Sequence, residues 1–250
     1  MEAVPSLVPN LKECAILLDV DGTIVDLAPT PREVRVSAQL RDDLSRLAQR
    51  TGGAVALVSG RPISELDLIF APLVLSAVGG HGAEFRLVDD GGHRQAPQLD
   101  PALKRELATV AAIGPGIIVE DKGYSLALHY RLAPDSAALV EEAVTRICNS
   151  YRAQRIERLH GKFVVEIKHT GFNKATGVKE LMAHGPFLGR RPIFIGDDTT
   201  DEPVFALMPE LRGLAFSVGR KVGGTTGWFA CPRDVRIWLQ RISQEQEACS

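Results

Sequence analysis

Short apolar runs recur along the chain, and each ends abruptly in a polar residue or a glycine. Residues 15–20 (AILLDV), 54–58 and 75–78 have this form, which predicts strands buried on both faces. Between the first two, Leu40, Leu44 and Leu47 fall on one face of a helix that Ser37 can cap and Gly52–Gly53 stop. A shorter helix over 62–70 opens on a proline. Buried strands alternating with helices imply a parallel sheet with right-handed crossovers.

The pattern then changes. Polar turns near 89–92 lead to a helix over about 101–112, strand-like runs at 117–120 and 125–130, and a long helix over about 134–154. Two further runs, 155–159 and 163–168, complete a set that reads as hairpins plus helices. After Asn173 the first pattern resumes, with a helix to about 184 and a strand at 192–196. A short helix after Asp201, a strand at 214–218 and a final helix from Pro232 follow. The expected fold class is α/β: a doubly wound, Rossmann-like parallel-sheet core (1–96 and 171–250) with an inserted smaller α+β cap domain (97–170). Trp228 and Trp238 are expected to pack in the C-terminal part of the core, and 223–227 reads as a loop.

Composition narrows the class. The chain has 250 residues, 45% hydrophobic and 24% charged, with a formal net charge of −2. No basic footprint suggests nucleic acid, no basic amphipathic helix suggests a membrane surface, and no run approaches the roughly 18 apolar residues of a membrane span. The start MEAVPSLVPNLKE lacks the form of a signal peptide. Cys14, Cys148, Cys231 and Cys249 are scattered without CxxC spacing, as in a cytoplasmic protein with reduced thiols. Nothing advertises an interface, so a monomer is expected.

In doubly wound sheets ligands bind beyond the carboxyl ends of the strands, so the polar residues there carry the chemistry. Asp19, Asp21, Gly22 and Thr23 close the first strand as DVDGT. Two carboxylates one residue apart, with a glycine to turn the chain, suit Mg²⁺, although an acidic turn after a strand looks the same. Ser59, Gly60 and Arg61 follow the second strand. A hydroxyl and free N–H groups at a helix start hold an oxyanion, and a plain Ser N-cap is the simpler reading. Asn173 and Lys174 open the helix after the inserted segment, where Lys174 can neutralise phosphate charge. GDDTTDE, 196–202, packs four acids into seven residues, which repel unless a cation or a helix N-terminus offsets them. Asp197 and Asp198 can complete a metal site with Asp19, while Asp201 can simply cap the next helix.

The joint order of these motifs resembles the haloacid dehalogenase superfamily of phosphotransferases over nearly the whole chain. Four further segments, GGHGAEFR (79–86), EDKGYSLALHYR (120–131), GKFVVEIK (161–168) and GDDTTDE, are similar to those of trehalose-6-phosphate phosphatases, as is the loop LAPTPREV (27–34).

The resemblance implies a division of labour. Asp19 would be the nucleophile, forming an aspartyl-phosphate, and Asp21 the general acid and then base, which requires it to be protonated first. Mg²⁺ would be held by Asp19, the Asp21 carbonyl and Asp197, with Asp198 close by. Ser59 and Lys174 would hold the phosphoryl oxygens, with Gly60 and Arg61 in the same loop. Glu120, Lys122, Arg131, Lys162 and Glu166 would bind the hydroxyls of the sugar, with His81 lining the cleft. Read without the resemblance, the charges of the inserted segment are solvated partners on an exposed sheet face. The implied substrate is a small phosphosugar, trehalose 6-phosphate. Other readings are a phosphatase for a different phosphosugar, a phosphomutase, a non-catalytic sugar-phosphate sensor and a two-carboxylate glycosidase. The DxD spacing, with both acids beside one metal, speaks against the last.

Overall fold

The first strand is the central one. In the computed structural model, which describes residues 8–27, 33–88, 92–161 and 163–245, β1 (Cys14–Leu18) is buried along its whole length. α1 (Ala38–Arg50) follows, its Leu40 N–H donating to the Ser37 hydroxyl at 3.2 Å. Next come β2 (Val55–Val58), α2 (Ile63–Phe70), β3 (Ser76–Gly79), β4 (Glu84–Arg86) and β5 (His93–Gln95). The middle of the chain forms α3 (Pro101–Ala108), β6 (Ile118–Asp121), β7 (Ser125–His129), α4 (Ala137–Ser150), β8 (Ile156–Gly161) and β9 (Val164–His169). The remainder forms α5 (Lys174–Leu181), β10 (Arg191–Gly196), α6 (Glu202–Leu207), β11 (Leu214–Val218), β12 (Gly227–Phe229) and α7 (Pro232–Gln244).

Eight strands form one sheet in the order β12-β11-β10-β1-β2-β3-β4-β5. The pairs from β12 to β3 are parallel, and β4 turns back antiparallel on β3. Side chains of β1 alternate between two cores. Ile16 and Leu18 join Leu40, Leu44 and Leu47 of α1 and Val235, Trp238 and Leu239 of α7. Ala15 and Leu17 join Val178 and Leu181 of α5 and Val204 and Phe205 of α6. Helices therefore cover both faces of the sheet, as a doubly wound topology requires. Trp238 is fully buried against Phe229, with ring centroids 6.0 Å apart, whereas Trp228 is half-buried beneath the Lys221 ammonium.

The chain divides into two compact units, the larger built from 1–94 and 173–250, the smaller from 95–172. The smaller unit is an antiparallel sheet ordered β6-β7-β9-β8. One face buries Leu126, Leu128, Val165 and Ile167 against Leu103 and Leu107 of α3 and Val140, Val144 and Ile147 of α4. The register places Glu120 and Glu166 opposite Ala127, and Lys168 opposite Ser125. Those residues alternate with the apolar ones and so share the other face.

The expected long helices are shorter than their patterns suggest. α3 tightens into a 3₁₀ turn over Thr109–Ile113, and α4 is preceded by one at Pro134–Ser136, where the proline accommodates a first turn. β4, β5 and β12 were not expected, since three residues are too few to display a period. The loop expected at 223–227 ends where β12 begins. The turns at 89–91 and part of the Pro-rich loop, 28–32, lie outside the described residues. Cys14, Cys148 and Cys231 are free thiols, and Cys249 also lies outside the described residues. No described helix is long and apolar enough to cross a membrane.

Candidate active site

β1, β2 and β10 lie side by side and parallel, so their carboxyl ends open at one edge of the sheet. Asp19 stands at the end of β1, its N–H donating to Ile195 O at 2.9 Å, and only 4% of it is exposed. Lys174, the first residue of α5, is equally buried. Its ammonium lies 2.7 Å from Asp19 Oδ1 and 2.7 Å from Asp201 Oδ1. Burial alone would favour the neutral amine, but the charges and hydrogen bonds of Asp19 and Asp201 outweigh it and raise the lysine above its ordinary value. Asn173 sets the start of α5 through a reciprocal capping box with Thr176, so the lysine leaves the first turn at a fixed point.

Thr23 Oγ1 lies 2.9 Å from Asp19 Oδ2 and 3.0 Å from Asp197 Oδ1, sharing one proton between the two carboxylates. Gly22 makes this approach possible. Its φ is +81°, and a Cβ there would stand 2.2 Å from Asp197 Oδ2, so the DVDGT glycine is needed for conformation and for room.

The second acidic run folds around Asp201, which is fully buried. Its Oδ2 accepts the N–H groups of Asp197 and Asp198, each at 3.0 Å, while Oδ1 takes Lys174. It thus pins the loop after β10 to Lys174. The expectation that it merely caps the next helix is corrected here, because its carboxylate makes no cap bond to α6. Asp198 points elsewhere: its Oδ1 accepts the Thr199 N–H at 2.7 Å.

Burial, then the charge and hydrogen bond of Asp19, push the Asp197 carboxyl up to about 8, against the pull of Thr23. Burial and Asp19 also push Asp201 up to about 7, against Lys174 and the Asp198 N–H. A carboxyl whose folded value lies above its unfolded one binds its proton more tightly in the folded state. Its stabilisation is complete below the unfolded value near 3.8 and is lost as pH rises through 8. The metal-free protein is therefore expected to melt higher at pH 5.5 than at pH 8 in EDTA. Asp197→Asn should shrink that difference, and an undiminished difference would reject the assignment.

Asp19, Asp197 and Asp201 offer carboxylate oxygens that all lie within 4.8 Å of one another. Both oxygens of Asp201 are taken, by Lys174 and by two N–H groups, which leaves Asp19 and Asp197 as the pair that could hold an ion. Two carboxylates this close hold either a proton or a cation between them. Hard oxygen donors alone fit a small divalent cation of magnesium's kind.

Asp21 is engaged by Arg61, whose Nε and Nη2 lie 2.6 and 2.7 Å from Oδ2 and Oδ1. This two-point contact raises the guanidinium above its usual value, against burial and with help from Glu65. Arg61, expected among the substrate-binding residues, joins the Ser59 loop to Asp21 through its side chain. Its N–H donates to the buried Ser59 Oγ at 3.1 Å. Gly60 lies beneath the His81 ring, where a Cβ would come within 2.4 Å of Cε1. His81 itself is left-handed, with φ of 53°, a conformation uncommon outside glycine that clusters at functional sites. Its N–H donates to Ser59 O at 3.1 Å.

In the smaller unit, Glu120 meets His129 Nε2 at 2.8 Å. That hydrogen bond, more than Lys122, holds its carboxyl below the usual range despite partial burial. Lys122 Nζ lies 3.5 Å from Glu166 Oε1. Arg131 is exposed in the turn after β7, and Lys162 lies outside the described residues. Thr23, Asp201 and Ser125, which donates to Glu166, were not anticipated as site residues. DVDGT already contained the threonine, and a D-x-x-D spacing from Asp198 to Asp201 marks a capping box.

The chain is 41% identical over 222 residues to a "Probable trehalose-phosphate phosphatase" of Sinorhizobium fredii, covering 87% of this chain and 82% of that one. It is 36% identical over 233 residues to the trehalose-6-phosphate phosphatase of Escherichia coli, covering 92% and 86%. The C-terminal domain of Candida albicans trehalose-6-phosphate phosphatase shares the fold, with a TM-score of 0.77 at 21% identity over 94% of each chain. The trehalose-phosphatase family model matches residues 17–227, a span that takes in Asp19, Lys174 and Asp197 alike. With the buried lysine–aspartate pair at the strand ends and this match along most of its length, the chain belongs to the trehalose-phosphatase family of phosphoric monoester hydrolases.

Proposed function

We propose that this chain hydrolyses trehalose 6-phosphate to trehalose and phosphate, with Mg²⁺ held by Asp19, Asp197 and the Asp21 backbone carbonyl, and Asp198 near it. The observation that carries the chemistry is the buried Lys174–Asp19 pair beside Asp197. Asp19 attacks phosphorus and the bond to the sugar oxygen breaks, leaving an aspartyl-phosphate. Asp21 gives the departing oxygen its proton. Water then attacks phosphorus, its proton passes to Asp21, and Asp19 is released with inorganic phosphate. When bound, Mg²⁺ would offset the repulsion between carboxylate and phosphate and stabilise charge on the transferred group. Ser59 and Lys174 hold phosphoryl oxygens, and Arg61 releases Asp21 for proton transfer. Glu120, Lys122, Arg131, Lys162, Glu166 and His81 bind the sugar. Carboxylates accept from its hydroxyls and ammonium or guanidinium groups donate to its oxygens.

Phosphate release is measured from trehalose 6-phosphate, sucrose 6-phosphate, glucose 6-phosphate and p-nitrophenyl phosphate, each with Mg²⁺ and with EDTA. Metal-dependent preference for trehalose 6-phosphate is the expected result. Metal-dependent release with another preference would keep Asp19 as nucleophile and discard the sugar assignment. Folded protein that releases phosphate from none would reject the enzyme.

A further inference from the structure

Ser125 opens β7 and has no exposed surface, and Glu166 on the neighbouring β9 is 8% exposed. The register sets Ser125 opposite Lys168 and Glu166 opposite Ala127, so the serine and the glutamate are diagonal neighbours on one sheet face. A diagonal is too long for two short side chains, and the extra methylene of glutamate closes it. Ser125 Oγ lies 2.5 Å from Glu166 Oε1, a length typical of a hydroxyl donating to an ionised carboxylate. Lys122 approaches the same oxygen, at 3.5 Å. Both partners thus converge on Oε1, and Oε2 takes no hydrogen bond from the described residues. With Oε1 held by these two partners, Oε2 is the oxygen left to take a donor from outside.

We infer that Ser125 is a positioning residue that fixes the Glu166 carboxylate through Oε1 and so presents Oε2 to a hydroxyl of the bound sugar. This rests on the reading of Glu166 as a sugar ligand. Without the serine, the carboxylate retains only the more distant lysine and loses its single rotamer. The serine touches no reacting atom, so its removal acts on sugar-dependent rate and not on phosphoryl chemistry itself.

The test compares Ser125→Ala, Glu166→Ala and the double variant, using the ratio of kcat/KM for trehalose 6-phosphate to that for p-nitrophenyl phosphate. Ser125→Ala is expected to lower the ratio about tenfold, the order of one hydrogen bond to a charged group, and to add nothing once Glu166 is alanine. Ser125→Cys, close in size but a weak donor, should behave alike and serves if the alanine variant does not fold. An unchanged ratio in Ser125→Ala with a lowered ratio in Glu166→Ala overturns this inference alone. A full Ser125 effect in the Glu166→Ala background overturns it too, because the serine would then act by another route. Glu166→Ala with an unchanged ratio overturns the sugar reading and this inference together.

Discussion

Asp19→Asn should abolish phosphate release, by about 10⁴-fold or more, while the protein stays folded. The magnitude follows from what an amide lacks. It carries no charge, so it neither attacks phosphorus effectively nor leaves as a carboxylate when water arrives. It is the same size, so the Thr23 hydroxyl keeps an acceptor at this position. The substitution also removes a negative charge beside Asp197, whose carboxyl is raised partly by that charge. It also takes one of two carboxylate partners from buried Lys174, an effect of opposite sign on stability, so the melting scan serves here to show that the chain is folded. Phosphate release above about 1% of the parent rate, with melting confirming a folded chain, would remove Asp19 from the nucleophilic role.

Lys174→Met should damage turnover and stability together. The ammonium is the positive partner of both Asp19 and Asp201, and deleting one member of a buried pair typically costs about 3–5 kcal/mol. The expected loss is nearer about 3 kcal/mol at pH 8 in EDTA. It should be smaller at pH 6, because carboxyls raised to about 7 and 8 take up protons in place of the lost charge. Urea unfolding at the two pH values reads both effects. A midpoint that does not move at either pH would mean that the pair contributes nothing to the fold. Turnover should fall by about 10³-fold or more, since the phosphoryl group loses a fixed positive charge.

The core sheet could be read from the chain because its strands are buried on both sides, which leaves unbroken apolar runs such as 15–18 and 193–195 closed by polar residues. The order of polar strand ends likewise pointed to Asp19, Ser59, Lys174 and Asp197 before any geometry was known. What the chain did not reveal was the use of each polar atom. Asp201 looked like a helix cap since a carboxylate three residues after an acid caps a turn in many contexts. Only the fold brings Lys174 to its second oxygen. Arg61 could be placed in the loop with Ser59 and Gly60, but not the reach of its long side chain to Asp21, 40 positions earlier. Asp198 looked equivalent to Asp197, but adjacent residues on an extended chain point opposite ways, and Asp198 turns to Thr199. Ser125 gave no signal, since a serine in an apolar strand is ordinary until its diagonal neighbour is known.

The position of β1 has a consequence for how the protein is born. β1 leaves the ribosome before both strands that flank it in the sheet, with Cys14 opposite Arg191 and Ile16 opposite Val55. One of its edges can be covered early by β2. The other must wait for β10, and at ordinary translation speeds that delay is roughly ten to forty seconds. Throughout it, an apolar strand edge stays open while the whole of the smaller unit, 95–172, is being made. Nascent chains stalled before Arg191 should thus be more prone to aggregate than the finished chain.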